Sequence, residues 1–242
     1  MKRIKAIDLF SGCGGVSIGL MQAGFEVVSA VEIDKDAVTA YKNYPLLKNV
    51  NVLQEDICKL SGMEILQAGG IEPDELYLLA GCPPCQKFSM QNRINYSDES
   101  KIDEVKKLLM QYLRIIEEVH PPFILMENVP GIRSSFGGRI LKEFIDRLQN
   151  NLRDEKQRYF VQSNVVNAAD YGVPQARKRF VLHAIRYDLY GALSDKGLSW
   201  SLPKQTHSKS GQGRFSKWVT VRAAFEGLPK ISAGQRYSDE KI

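Results

Sequence analysis

Short apolar runs alternate with longer amphipathic segments along most of the chain, and this alternation limits the possible folds more than any other feature. The apolar runs, which we predict to be strands, are residues 3–10, 25–33, 49–56, 75–81, 122–129, 159–166 and 179–185. The intervening segments, which we predict to be helices, are residues 14–24, 35–44, 63–68, 103–119 and 138–151. Strands that alternate with helices of this length are typical of an α/β fold. We therefore predict a doubly wound, mostly parallel sheet with helices on both faces, whose ligands bind outside the carboxyl ends of the strands.

The C-terminal part of the chain differs in composition from the rest. Of the 242 residues, 43% are hydrophobic and 25% are charged, which suits one large globular domain. From Gly191 to Lys217, however, glycine, serine and lysine are frequent, as they are in loops and linkers. We predict a main domain of residues 1–190 and a basic linker of residues 191–242.

The net charge of +5 belongs entirely to the region from Ser201 onwards. That region holds eight lysines or arginines, at positions 204, 209, 214, 217, 222, 230, 236 and 241, and three acids, at positions 226, 239 and 240. Such a tail either binds an anionic partner or is a solvated basic surface, and composition alone leaves both open.

The N-terminal apolar run is too short for a signal peptide, and no other run approaches the ~18 apolar residues of a membrane helix. We therefore predict a cytoplasmic protein with no membrane partner. In that compartment cysteines are free thiols by default.

Two cysteines, Cys82 and Cys85, flank a pair of prolines directly after the fourth predicted strand. They suit a zinc site, a redox pair, or a single attacking sulfur. A structural zinc needs four ligands, and the remaining candidates are not paired at ligand spacing, so we predict no metal. Those candidates are Cys13, Cys58, His120, His183 and His207. The redox pair and the single nucleophile both stay open at this point.

The segment DLFSGCGG follows the first predicted strand and opens the first predicted helix. Glycines allow the backbone to approach a ligand closely, and a helix N-terminus offers unpaired N–H groups. The dinucleotide fingerprint G-x-G-x-x-G fails, because its third position is Ser17. Glu32 lies 20 residues after Gly12, where a carboxylate can accept both hydroxyls of a ribose. Asp56 ends the third strand and could accept from an adenine amino group, so we predict an adenosine-binding site.

The segments MENVPG and QARKRF place further polar residues near predicted strand ends. Glu127 ends the fifth strand, and Asn128 is able to brace it. Strand alternation predicts that Gln175, Arg177 and Arg179 share one face. Two arginines on one face can grip a phosphate or a carbonyl oxygen, or they can simply protect an edge strand from aggregation.

Four segments in this order, DLFSGCGG, GCPPCQKFS, ENVPG and QARKRF, resemble the motifs of the C5-cytosine DNA methyltransferases. The resemblance covers residues 4–187. It implies a Rossmann-like, class I methyltransferase domain that binds double-stranded DNA and transfers a methyl group from S-adenosyl-L-methionine to cytosine C5. The segments LPKQTHS and VTVRAAFEGLP are similar to the family's connector towards its target-recognition domain.

The resemblance also implies roles for individual residues. Cys85 matches the nucleophile that attacks cytosine C6, and Glu127 matches the acid that protonates or hydrogen-bonds N3. Arg177 and Arg179 match the pair that holds the base and the catalytic loop. The implied cofactor contacts are Phe10, Gly12, Gly14, Gly15, Glu32, Ile33, Asp56, Ile57 and Leu108. The implied substrate contacts are Pro84, Gln86, Ser89, Asn128 and Gln175.

Elementary chemistry agrees with these roles. Cytosine C5 becomes nucleophilic only after a group adds across the 5,6 bond, and a thiolate suits that addition. A positioned acid at N3 drains the negative charge that develops in the ring. A base stacked in a duplex must be flipped out to be reached. On this interpretation Pro83 and Pro84 aim the sulfur of Cys85, and Cys82 is a packing residue.

The last part of the chain departs from the family. No glycine is followed by asparagine, although the family's closing motif contains that pair. The residues after Arg186 are too few for a recognition domain as well. We expect a C-terminal region or a second chain to carry target recognition, and this chain alone to methylate DNA barely and to bind it in a salt-sensitive way. Two other classes stay open: an RNA cytosine methyltransferase on the same scaffold and a non-catalytic partner subunit.

Overall fold

The computed structural model of the protein describes residues 3–84, 102–150 and 158–228. Its strands are β1 (Ile4–Leu9), β2 (Phe25–Glu32), β3 (Asn51–Gln54), β4 (Leu76–Gly81), β5 (Phe123–Asn128), β6 (Tyr159–Asn167), β7 (Lys178–Arg186), β8 (His207–Ser208) and β9 (Ser216–Lys217). Its α-helices are α1 (Gly15–Gln22), α2 (Lys35–Asn43), α3 (Gly62–Ala68), α4 (Ile102–Val119), α5 (Arg139–Asn150), α6 (Tyr187–Asp195) and α7 (Val221–Ala224). Within these three ranges, no helix is long and apolar enough to cross a membrane.

Seven strands form one mostly parallel sheet, as the sequence predicts, in the order β3-β2-β1-β4-β5-β7-β6. β1 pairs in parallel with β2 and with β4, β2 with β3, and β4 with β5. β7 runs antiparallel to β5 and places Val181 opposite Glu127. The order of the strands reverses direction between β1 and β4, and such sheets bind ligands at the carboxyl ends of the strands beside that point.

Both faces of the sheet are buried. Neighbouring residues of a strand point to opposite faces, and Ala6 and Ile7 of β1 accordingly belong to different hydrophobic clusters. The same is true of Leu78 and Leu79 of β4. One cluster takes Tyr112 and Phe144 from α4 and α5, and the other takes Val38, Tyr41 and Leu47 from α2 and the turn after it. The predicted cover of helices on both faces is confirmed.

The chain after β7 is more structured than its composition predicts. Glycine and serine predict loop or linker from Gly191 to Lys217, but α6 extends to Asp195, and β8 and β9 lie inside that stretch. The prediction of loop is wrong for these short elements, while residues 196–206 and 209–215 contain no helix or strand, as predicted. Tyr190 of α6 stacks on Phe160 with ring centroids 4.1 Å apart.

Contacts divide the chain into two compact units. The first comprises Met1–Val165 and Arg179–Leu202, and it holds most of the seven-stranded sheet. The second comprises Val166–Lys178 and Pro203–Ile242. It therefore joins the segment just before β7 to the segment whose composition suggests a linker. The domain boundary after residue 190 stays a prediction.

Candidate active site

A cavity of about 160 Å³ opens at the carboxyl ends of β2 and β3, beside α4. Its walls bring together six residues that the sequence predicts as cofactor contacts, namely Phe10, Glu32, Ile33, Asp56, Ile57 and Leu108. The other lining residues are Val31, Glu55, Cys58, Pro84 and Lys107. Apolar walls with carboxylates at the rim can hold a flat ring system joined to a hydroxylated sugar.

Three predicted cofactor residues remain: Gly12 and Gly14 lie in the turn from β1 into α1, and Gly15 is the first residue of α1. Gly14 has a φ of 90°, and a Cβ there would lie 2.3 Å from Cδ1 of Leu47, so only glycine fits this turn. A Cβ on Gly12 or Gly15 would meet nothing within 4 Å. The turn therefore presents bare backbone to open space.

Glu32 is fixed by two backbone N–H groups. Gly12 N–H donates to its Oε2 at 2.8 Å, and Asp34 N–H donates to its Oε1 at 2.9 Å. Asp34 in turn accepts from Ala37 N–H and caps α2. The Glu32 carboxylate is thus held between the glycine turn and α2, and its remaining lone pairs can accept from ligand hydroxyls.

Asp56 caps the short 3₁₀ turn that follows β3. Its Oδ1 accepts from Cys58 N–H at 2.9 Å, and this hydrogen bond lowers the pKa of the carboxyl. Lys107 on α4 lines the same cavity, and its positive charge lowers that pKa further. Sequence reasoning misses Lys107, because nothing in its spacing from Asp56 signals that the two residues meet.

A buried carboxyl group that the sequence analysis did not select lies beneath the glycine turn. Asp8 of β1 is fully buried and accepts from Ser17 Oγ at 2.6 Å, while Tyr41 Oη donates to the same Ser17 oxygen at 2.7 Å. Burial raises the pKa of Asp8 to about 7, although the Ser17 hydrogen bond opposes the rise. The sequence did carry a signal for Asp8, because burying an acid inside an apolar strand costs free energy unless the group is hydrogen-bonded or protonated.

Asp8 should make folding stability depend on pH. Between its ordinary pKa of 3.8 and about 7 the unfolded chain loses the proton that the native state keeps, so stability falls as the pH rises through this window. Asp8→Asn removes that titration. Urea denaturation gives the unfolding free energy of the variant and of wild type at each pH. The difference, variant minus wild type, should rise by roughly 2–4 kcal/mol between pH 4.5 and pH 8. The exposed Asp36→Asn serves as control, and a constant difference for Asp8→Asn would refute the assignment.

The corner between β4 and the predicted nucleophile is held from two sides. Cys82 N–H donates to Leu9 O at 3.1 Å, and the Asn128 side-chain amide donates to Pro83 O at 3.2 Å. Asn128 is predicted as a substrate contact, but its side chain is 3% exposed. Its amide group donates to one backbone oxygen, and its Oδ1 accepts from Val129 N–H. The predicted residues Cys85, Gln86 and Ser89 lie outside the described residues.

The thiol of Cys82 differs from an activated nucleophile. Burial raises its pKa well above the usual range, and the negative charges of Asp8 and Glu127 raise it further. A thiol that resists ionisation is a poor nucleophile and a poor metal ligand. Within the part of the chain that the structure describes, no group of three or more His, Cys, Asp and Glu could hold a metal ion.

Glu127 and Arg179, both predicted catalytic residues, form an ion pair. Arg179 Nε lies 2.5 Å from Glu127 Oε1, and the antiparallel pairing of β7 with β5 brings the two side chains together. An arginine that holds one carboxylate oxygen directs the other oxygen and fixes the orientation of the group.

Gln175 and Arg177 do not belong to the strand. β7 begins at Lys178, and Arg177 N–H donates to Gln175 O at 2.9 Å in a tight turn. The prediction that strand alternation places both residues on one face with Arg179 is therefore wrong, because the turn breaks the period before Arg179 is reached. Both side chains are exposed and lie in the second unit.

This chain is similar to known proteins over most of its length. A family model described as C-5 cytosine-specific DNA methylase matches residues 4–226. The chain is 32% identical over 236 residues to the Type II methyltransferase M.AquIA of Picosynechococcus sp., which covers 93% of this chain and 89% of that protein. It is 36% identical over 190 residues to the Type II methyltransferase M.XorII of Xanthomonas oryzae pv. oryzae, which covers 78% of this chain and 42% of that protein.

Two solved structures share the fold. A protein described as a DNA modification methyltransferase encoded within an E. coli prophage matches with a TM-score of 0.68 and 31% identity, over 94% of this chain and 56% of its own. DNMT2 of Spodoptera frugiperda matches with a TM-score of 0.57 and 26% identity, over 76% and 50%. The chain thus spans most of M.AquIA but about half of each of these other three proteins.

Proposed function

Because the chain belongs to the C-5 cytosine-specific DNA methylase family, we propose that it transfers a methyl group from S-adenosyl-L-methionine to C5 of cytosine in double-stranded DNA. The observation that carries this proposal is the position of Pro84. Pro84 is the residue directly before Cys85, and it lines the same cavity as Glu32 and Asp56. The described chain directly before the proposed nucleophile therefore borders the proposed cofactor site.

The residues around the cavity fit the adenosyl part of the proposed cofactor. Phe10 and Leu108 offer apolar walls for the adenine ring, and Asp56 is an ionised acceptor for its amino group. Glu32 would accept from the ribose hydroxyls, and Ile33 and Ile57 would pack beside them. The open space over Gly12 and Gly15 leaves room for the rest of the molecule. When bound, S-adenosyl-L-methionine supplies an activated methyl group.

The chain's own residues would perform the remaining chemistry. The Cys85 thiolate forms a bond to C6 of a flipped-out cytosine, which pushes electron density towards C5. Glu127, oriented by Arg179, protonates or hydrogen-bonds N3 as charge develops in the ring. After C5 has been methylated, its proton passes to the solvent, N3 returns its proton to Glu127, the 5,6 double bond reforms, and the Cys85 sulfur is expelled as a thiolate.

The substrate class can be tested with tritiated cofactor. Duplex DNA and transfer RNA are incubated separately with the protein, together with any C-terminal region or second chain that carries target recognition, as we propose. Label at C5 of cytosine in the DNA is expected. Label in the transfer RNA alone would favour the RNA methyltransferase, and label in neither would favour a non-catalytic subunit.

The cofactor site can be tested without catalysis. Glu32→Ala removes a carboxylate that would accept charge-assisted hydrogen bonds from the ribose, so binding of S-adenosylhomocysteine should weaken by ~1–3 kcal/mol. Calorimetry measures the change. Glu26→Ala, at the opposite end of β2, is the matched control and should bind as wild type does. Equal affinities of wild type and Glu32→Ala would remove Glu32 from the site.

A further inference from the structure

The segment that carries Arg177 is a closed loop within the second unit. We call residues 168–177 the arginine loop. Its two ends are joined, because Ala168 N–H donates to Arg177 O at 2.9 Å. Gly172 N–H and Val173 N–H donate back to Ala169 O and Ala168 O, which tightens the loop from inside. The backbone of Arg177 is therefore held in place by these hydrogen bonds, although its side chain is exposed.

The outside of this loop is held by residues 203–218, which we call the connector. Asp170 accepts at three of its oxygens. Trp218 Nε1 donates to Oδ1 at 2.9 Å, Gln205 Nε2 donates to Oδ2 at 3.2 Å, and Thr206 N–H donates to the main-chain oxygen at 3.1 Å. A single side chain therefore joins two separate parts of the connector to the arginine loop.

The two residues after Asp170 also contact the connector. Tyr171 Oη donates to Pro203 O at 3.2 Å. Gly172 has a φ of 89°, and a Cβ there would lie 2.9 Å from Cε1 of His207, so the ring of His207 packs directly on the backbone. Three consecutive residues of the loop are thus covered by the connector.

The connector has its own internal order. Ser216 N–H donates to Thr206 O and Trp218 N–H donates to Ser208 O, each at 3.0 Å, and these bonds pair β8 with β9. This pairing places the Trp218 indole where it reaches Asp170. The basic tail is therefore not merely a solvated linker over these residues.

We propose that Asp170 is a positioning residue, which latches the arginine loop to the connector and so fixes the backbone position of Arg177 within the second unit. The proposal rests on the proposed function only for the role of Arg177. A carboxyl group offers two oxygens as acceptors, and each of those of Asp170 receives one hydrogen bond from a side chain of the connector. Loss of this carboxylate should release the loop without unfolding the sheet.

Limited trypsin digestion tests the latch directly. Trypsin cleaves after Arg177, Lys178 and Arg179, and native-state cleavage follows the local opening of the chain. Asp170→Ala and Trp218→Phe should each speed cleavage at these sites about five-fold or more. Asp170→Asn keeps an acceptor for the indole and should show a smaller increase. Asp195→Ala, an exposed acid at the end of α6, is the control and should cleave as wild type does.

Kinetics separate positioning from simple structural support. In methyl transfer, Asp170→Ala should lower kcat at least ten-fold while its affinity for S-adenosylhomocysteine stays at the wild-type value, and Asp170→Asn should recover part of the loss. Faster cleavage with unchanged kcat would overturn the positioning role, and unchanged cleavage would overturn the latch. A wild type that methylates nothing would refute the proposed function, while the digestion would still decide the latch.

Discussion

Replacing Cys85 with serine is expected to abolish the covalent adduct with DNA that carries 5-fluorocytosine at the target position. Fluorine at C5 cannot leave as a proton, so in the wild-type protein the sulfur stays bonded to C6. Protein and DNA then migrate together on a denaturing gel. A serine hydroxyl ionises far less readily than a thiol, so addition to C6 should not occur. Methyl transfer to ordinary DNA should fall at least ~10³-fold.

The neighbouring cysteine provides the matched control. Cys82→Ser should retain the adduct, because burial and nearby carboxylates already keep the Cys82 thiol from ionising. A DNA adduct on Cys82, or cross-linking by both variants, would show that the proline corner aims a different sulfur. Loss of the adduct in both variants would mean that the addition also needs the Cys82 side chain, and would contradict a pure packing role for Cys82.

The fold was predictable because periodicity reports burial. β1 and β4 read as apolar runs, since the sheet is covered on both faces. The direction of β7 was not predictable, because its side-chain pattern would be the same if the strand ran parallel to β5. The antiparallel pairing that joins Arg179 to Glu127 could therefore not be read from spacing.

The turn before β7 could have been predicted from the sequence. Gly172 and Pro174 both precede Gln175 in the sequence, and both signal a turn in which strand alternation no longer applies. The lining of the cavity was predictable only in part. Glu32 and Asp56 sit at successive strand ends, so parallel pairing was enough to predict that they meet. Lys107 enters from a helix far along the chain, and only tertiary packing brings it there.

Replacing Glu127 with glutamine is expected to lower kcat for methyl transfer by ~10²–10⁴-fold, the usual contribution of a positioned acid or base. Glutamine has the same shape and can still contact Arg179, but it has no proton to give to N3. Affinity for S-adenosylhomocysteine should not change, because Glu127 does not line the cavity. Steady-state kinetics and calorimetry measure the two quantities separately. Glu117→Gln, which alters an ion pair with Arg147 elsewhere in the same unit, should leave both unchanged.

The ion pair with Arg179 adds a stricter test of this role. If the arginine acts by orienting Glu127, then Arg179→Ala should cost less in the Glu127→Gln background than in wild type, because residues that act as a unit are not additive. Arg179→Lys keeps the charge but not the planar fork, so it should recover only part of the loss. Equal costs in both backgrounds would mean that Arg179 acts on the substrate independently. The contact at 2.5 Å would then describe the protein before the base arrives rather than the arrangement that protonates N3.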